Sequence, residues 1–364
     1  MPKRALLDLY SDFLLCSFGS ATATNLSSAV SGAISHDQVT RFLADGVRSS
    51  ADLWRVVKAS VREMESPAGV IVIDDSIIEK PYTDENELIS WHFDHTQGRA
   101  VKGINFLTAL YHSQDVSLPV AFQLVAKTEA YTDAKSGTEK RRSPITRNEH
   151  YREMLRACVR NQIPFRYVLN DSWYASAENM MFVRHTLGHD FIMALKSNRK
   201  VALCAQDKAE GRYQMLSTLS LPEGSVWEIH LESVDFPLLF AQQLFTNGDG
   251  SIVILSLVTR AVPLDWSSLT ALYQTRWKVE EFHRSLKQNA ALAKSPTRTM
   301  TTQTNHFFAA LCTFIKLERL RTAKNLNHYA LKHKIYLTAL LAAFKALEVL
   351  NPIRLEPLNL TPTA

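Results

Sequence analysis

Residues 70–76 read Val-Ile-Val-Ile-Asp-Asp-Ser, an unbroken β-branched run that ends on two carboxylates. The run is entered through the Ser66-Pro67-Ala68-Gly69 break and is too short for a helix, so it reads as a buried strand with acids at its carboxyl end. A second run, Phe-Arg-Tyr-Val-Leu-Asn-Asp at 165–171, delivers Asp171 in the same way. The helical pattern EHYREMLRACVRN (149–161) precedes it, and a strand-helix-strand unit sets the second acid-bearing strand beside the first. GINFLTALY (103–111) and LPVAFQLVA (118–126) read as two further strands. The fold class is therefore α/β.

Upstream, apolar residues recur at helical spacing through VTRFLADGV (39–47) and LWRVVKASVREM (53–64), so residues 1–65 read as a helical N-terminal domain. TNLSSAVSGAISHDQVTRFL (24–43), with a Ser35 cap and Arg41 on the second helix, suits either a DNA-binding helix-turn-helix or a plain helical bundle. Residues 66–200 and 257–325 form two parts of one core. Between them, 201–256 alternates short strands with turns and is expected as a β-rich insertion. The polar, basic stretch 128–148 is expected as a mobile loop, and 326–364 as a helical C-terminal region.

Composition narrows the class. Hydrophobic residues are 46% and charged residues 21% of the 364 positions, as in soluble globular proteins. No apolar run approaches the roughly 18 residues of a membrane span, and Asp8 and Asp12 interrupt the start, so a cytoplasmic, nucleoid-associated protein is expected. Cys16, Cys158, Cys204 and Cys312 lack any zinc or redox spacing and are expected as buried, reduced thiols. Ten Lys/Arg against three acids fall between Tyr273 and Lys324, a local surplus that exceeds the whole net charge of +5. Such a run suits a polyanion, or simply a solvated helix face.

YQTRWKVEEFHRSLK (273–287), read as one helix, puts Tyr273, Arg276, Glu280 and Lys287 on one face. Arg276 and Glu280 also suit a plain helix salt bridge. By the same helical wheel, Trp277 and Val279 should face the core and Glu281 the solvent. His92 and His95 around Asp94, and His283 near Glu280, imitate metal pairs but lack the remaining ligands of a zinc site. No P-loop, GxGxxG, HExxH or GxSxG occurs, so nucleotide-cofactor and serine chemistry find no support.

The spacing Tyr-(2)-Arg-(3)-Glu-(6)-Lys resembles the signature around the catalytic glutamate of DDE transposases from a large group of bacterial insertion sequences. The order around it is similar too: IDDS ending one strand, LNDSWY ending a later one, a β insertion, then the signature helix. WHFDHTQGRAVKGINFLTALY, KSNR and KSPTRTMTTQTNHFF resemble the same group, and the likeness covers about residues 66–325. It implies a ribonuclease-H-like core in which Asp74, Asp171 and Glu280 are catalytic and bind two Mg²⁺ (or Mn²⁺) ions. It gives Tyr273, Arg276 and Lys287 contacts to DNA phosphates. Asp74-Asp75-Ser76 fits the group's Asp-x-Ser/Thr with Asp74 as ligand; Asp75 is the alternative, since strand alternation should send the two to opposite faces.

The chemistry asks for such a set. Phosphodiester cleavage needs an activated water and neutralisation of a pentavalent phosphate, and Mg²⁺ prefers carboxylate oxygens to Cys or His. Asp171 also suits a helix cap, and Trp173 or Tyr174 suits either base stacking or the core. The expected function is cut-and-paste transposition on terminal inverted repeats and target DNA, by a homodimer on double-stranded DNA without membrane or nucleotide cofactor. The rivals are a nuclease of the same fold that does not join strands, and a non-catalytic DNA-binding descendant. The N-terminal helices are expected to read sequence and the insertion to shape the cut end.

Overall fold

The computed structural model describes residues 2–94, 97–134, 137–219, 221–222, 224–260 and 263–350. Four helices open the chain: α1 (Lys3–Cys16), α2 (Ala23–Ala29), α3 (His36–Ala44) and α4 (Ser50–Met64). Ser35 caps α3 in a reciprocal capping box with Gln38, and Ser49 does the same for α4 with Asp52. Then come β1 (Val70–Glu79), β2 (Ser90–Asp94), β3 (Arg99–Ser113), β4 (Val116–Leu124), β5 (Glu129–Thr132), β6 (Glu139–Arg142), α5 (Arg147–Arg160) and β7 (Tyr167–Asn170). α6 (Ala177–Met181), β8 (Asp190–Leu195), β9 (Lys200–Val201), α7 (Ala205–Ala209), β10 (Gln214–Met215) and β11 (Val226–Ile229) follow. β12 (Leu238–Thr246), β13 (Ile252–Thr259), α8 (Trp266–Gln274), α9 (Lys278–Asn289), α10 (Met300–Lys324) and α11 (His328–Leu350) complete the described chain.

A mixed central sheet runs in the order β11-β12-β13-β8-β7-β1-β3-β2, with β4 also paired to β3. β1 is antiparallel to β3 and parallel to β7, and β7 is parallel to β8. The α/β reading thus stands, with four corrections. β1 does not end at its acids: β3 pairs with it as far as Glu79↔Gly103, so Asp74 and Asp75 lie mid-strand. The segment 201–256 is not set apart, because β13 pairs antiparallel with β8 and carries β12 and β11 into the same sheet. The expected basic loop is a hairpin of exposed strands β5 and β6, tied by Arg142 Nε to Glu129 at 3.0 Å. Cys16 and Cys204 are exposed, and only Cys158 and Cys312 are buried; all four are free thiols.

α10 is the axis of the core, buried from Gln303 to Ile315. Phe307 packs on Phe106 of β3 at 4.9 Å and on Phe122 of β4 at 5.4 Å. On its other side the Tyr10 hydroxyl meets His306 Nδ1 at 3.0 Å, and Asn305 Nδ2 donates to the Leu43 and Gly46 carbonyls. One hydrophobic cluster therefore runs from Leu6 to Ile315. The change at residue 65 is a change of secondary structure, not a break in the core. α3 turns Val39, Phe42 and Leu43 inward and leaves Arg41 exposed.

Candidate active site

β7 pairs with β1 only along Val70–Val72 and stops at Asn170. From Ile73 onward β1 has β3 on one side and an open edge on the other. Asp171 turns away at once, its Oδ1 accepting the Trp173 N–H at 2.9 Å as an Asx turn. α9 packs against β1 across this gap. The result is a cleft of about 530 Å³ lined by Asp74, Asp75, Asp171 and Glu280, with Arg147, Arg276 and Lys287 among them.

Strand alternation led to the expectation that only one of Asp74 and Asp75 could join Asp171. Both line the cleft, because an unpaired strand edge lets side chains from either face reach round it. Their surroundings differ. Asp75 accepts hydrogen bonds from Asn105 Nδ2 at 2.7 Å and the Tyr174 hydroxyl at 2.8 Å, and Arg147 lies 3.3 Å from it. Asp74 receives the Asp75 backbone N–H at 2.9 Å. Burial, and then the charges of Asp171, Asp75 and Glu280, push the Asp74 carboxyl well above the usual range. Burial also raises Asp171, while the Trp173 N–H and the Arg276 guanidinium oppose the shift.

The signature segment is not one straight helix. A 3-10 turn at Thr275–Trp277 separates α8 from α9, and three residues per turn instead of 3.6 changes which side chains share a face. Arg276, Glu280 and Lys287 all reach the cleft, but Tyr273 does not. It is 4% exposed, its hydroxyl 3.4 Å from the Asn170 carbonyl and its ring 5.5 Å from the Arg276 guanidinium. The phosphate contact expected of Tyr273 therefore has no open surface here. Trp277, expected in the core, is 60% exposed, whereas Val279 is buried and Glu281 exposed as anticipated.

Arg276 donates to Glu280 Oε1 at 2.5 Å, and Glu280 Oε2 is buried without a hydrogen-bond partner. Lys287 Nζ donates to Ser76 Oγ at 2.7 Å. His283 is turned away, bonded to Thr108 Oγ1 at 2.9 Å against Phe106, and His92 is buried beside Ser90 Oγ at 3.1 Å. Asp94 lines the cleft, and His95 lies outside the described residues. Trp173 is half-exposed at the cleft with Lys196 3.7 Å over its ring. Tyr174 is core, stacked on Tyr151.

Among the described residues no three His, Cys, Asp or Glu side chains close on a common point tightly enough to hold an ion as they stand. The donor set nevertheless fits a hard divalent cation. It is all oxygen, it includes an orphaned carboxylate oxygen on Glu280, and its members raise the cost of each other's charge.

Arg147 was not singled out by sequence reasoning. Its signal was present: an arginine in the first turn of a helix stands against the helix dipole, so its charge serves something outside the helix.

A family model for the DDE superfamily endonucleases matches residues 1–216. The chain belongs to this family. The matched part of this DDE endonuclease includes Asp74 and Asp171 and stops before Glu280. Membership implies nuclease chemistry on DNA with divalent metal. Among curated proteins none matches the chain. Among the described residues no helix of the endonuclease is long and apolar enough to cross a membrane.

Proposed function

We propose that this DDE endonuclease is a DNA transposase that cuts transposon ends and joins the freed 3′-hydroxyl to target DNA. Asp74, Asp171 and Glu280 act as its catalytic carboxylates on a ribonuclease-H-like core. The single observation that carries the reading is the meeting of these acids, from β1, the end of β7 and α9, in one cleft shared with Arg147, Arg276 and Lys287. The strand order β4-β3-β1-β7-β8, three antiparallel strands followed by two parallel ones, supports the ribonuclease-H-like assignment.

Asp74, Asp171 and Glu280 would hold two Mg²⁺ ions, which supply an activated water and neutralise charge building on the phosphate. The remaining work falls to the chain. Arg276 and Arg147 offer planar forks to backbone phosphates and Lys287 a point charge, so the strand is bound from both sides of the acids. Tyr273 supports Arg276 from beneath. Asn105, Tyr174 and Arg147 fix Asp75, which sets the backbone that carries Asp74. A homodimer on DNA would present two such clefts to two terminal repeats, with the N-terminal helices reading sequence.

The test is cleavage of labelled DNA carrying the flanking inverted repeat, with Mg²⁺ or EDTA. The wild type is compared with Asp74→Ala, Asp171→Ala and Glu280→Ala. Metal-dependent nicking and joining, lost in each variant while binding persists, is the expected result. Nicking without joining would make the enzyme a nuclease only; binding without chemistry would overturn catalysis.

A further inference from the structure

Asp74 and Glu280 repel each other in one cleft, yet they ride on different elements, β1 and α9. Something other than their own side chains has to fix the distance between them. β7 stops pairing with β1 at Val72, and past that point the pairing of β1 continues on the β3 side. Directly across from Asp74 on β3 stands Thr108. Opposed residues of an antiparallel pair share a face of the sheet, so Asp74 lies on the face where Thr108 meets α9.

On α9, His283 follows Glu280 by three residues, which makes the two neighbours on the helix surface. His283 Nε2 and Thr108 Oγ1 form a hydrogen bond of 2.9 Å, and the Phe106 ring packs edge-on to the imidazole at 5.2 Å. Both partners are buried. Burial, followed by the Lys287 charge, lowers the pKa of the imidazole from 6.5 to about 3, so the bond joins two neutral groups at neutral pH.

We propose that the hydrogen bond between His283 and Thr108 is a positioning brace that sets the separation of Asp74 and Glu280. The inference rests on the reading of these two acids as metal-binding carboxylates. The brace joins the residue opposite one acid to the residue one turn from the other, so each acid sits beside a fixed point. Repulsion between the acids acts to spread β1 from α9 in metal-free protein, and a bond anchored in the core resists it. Divalent ions then meet carboxylates that are already spaced. A second stitch, from Lys287 Nζ to Ser76 Oγ at 2.7 Å, is lost whenever Lys287 turns to a phosphate, whereas the buried one stays.

Packing and positioning predict opposite orders of substitution, because valine keeps the shape of Thr108 without its hydroxyl and serine keeps the hydroxyl without the shape. Mn²⁺ is titrated into DNA-free full-length protein and the free ion followed by electron paramagnetic resonance. Asp74→Ala is expected to lose binding. Thr108→Ser is expected to bind as the wild type does, and Thr108→Val about tenfold more weakly. Thr108→Val combined with His283→Leu leaves neither buried partner orphaned, so its circular-dichroism spectrum and melting temperature should stay near those of the wild type. It too is expected to bind Mn²⁺ about tenfold more weakly. Wild-type affinity in this double variant, with binding lost in Asp74→Ala, overturns the brace and leaves the carboxylate reading standing. Serine weakening binding as much as valine overturns it in the same way. Mn²⁺ binding that is absent from the wild type, or that survives Asp74→Ala, overturns the carboxylate reading and this inference with it.

Discussion

The Arg147 guanidinium lies 3.3 Å from Asp75, while Asp74, one residue earlier on β1, faces Asp171 and Glu280. Two adjacent carboxylates in one cleft are thus in opposite electrostatic states, one satisfied and one not. Replacing them should give opposite results. Asp75→Asn removes the charge that Arg147, Asn105 and Tyr174 all address, and should destabilise the fold by about 1–3 kcal/mol. Asp74→Asn relieves like-charge repulsion and burial of an anion, and should raise the melting temperature of metal-free protein while abolishing cleavage. Thermal melts with and without Mg²⁺ check this. Equal destabilisation by both would sink the distinction between them.

Tyr273 gives a second contrast. Its hydroxyl lies 3.4 Å from the Asn170 carbonyl and also meets the Arg276 side chain, whereas its ring is buried beneath Arg276. Tyr273→Phe should therefore leave stability within about 0.5 kcal/mol and DNA affinity unchanged. Tyr273→Ala should cost about 3–5 kcal/mol as a cavity opens. A large loss of DNA affinity in the phenylalanine variant, with folding intact, would restore the phosphate contact that sequence reading gave to the hydroxyl.

The same residue shows how far the sequence could be read. Val70–Ile73 and Phe165–Leu169 were legible as strands because β-branched and aromatic runs have few other uses, and the acids after them line one cleft. Helical period placed Arg276, Glu280 and Lys287 together. It failed at Tyr273 and Trp277, since the 3-10 turn between α8 and α9 is set by packing rather than by any local residue. The continuation of β1 past Asp75 depends on β3, about thirty residues away in sequence, so no local pattern announced it. Arg147 was hidden inside a polar stretch whose only cue was a charge of the wrong sign for its helix end.

Lys287 should separate electrostatics from chemistry. Its ammonium is held by Ser76 at the cleft without an ion pair to Asp74, Asp171 or Glu280, which would leave it available to a phosphate. Lys287→Met should weaken binding of unrelated and repeat-bearing DNA alike, and should lower the slope of log affinity against log salt by about 1. Affinity measured by anisotropy across a salt series reads this directly. An unchanged slope with lost cleavage would place Lys287 in positioning Ser76 and β1 instead.

The pH dependence of stability follows from a histidine in the core. His306 receives the Tyr10 hydroxyl at Nδ1, 3.0 Å, and donates from Nε2 to the Leu292 carbonyl at 3.1 Å and the Ala291 carbonyl at 3.2 Å, so the neutral ring is fully satisfied. Burial, with the Lys80 charge nearby, lowers its pKa from 6.5 to about 4. The unfolded chain then takes up a proton near pH 6.5 that the folded chain refuses until about pH 4. Stability is therefore full above pH 6.5 and falls as pH drops through that window, by at most about 1.4 kcal/mol per pH unit for one proton. His306→Gln, which does not titrate here, should be less stable at pH 7.5 but lose less between pH 6.5 and 5. Urea titrations at the three pH values measure the difference, and parallel losses in both proteins would assign the acid sensitivity to other groups.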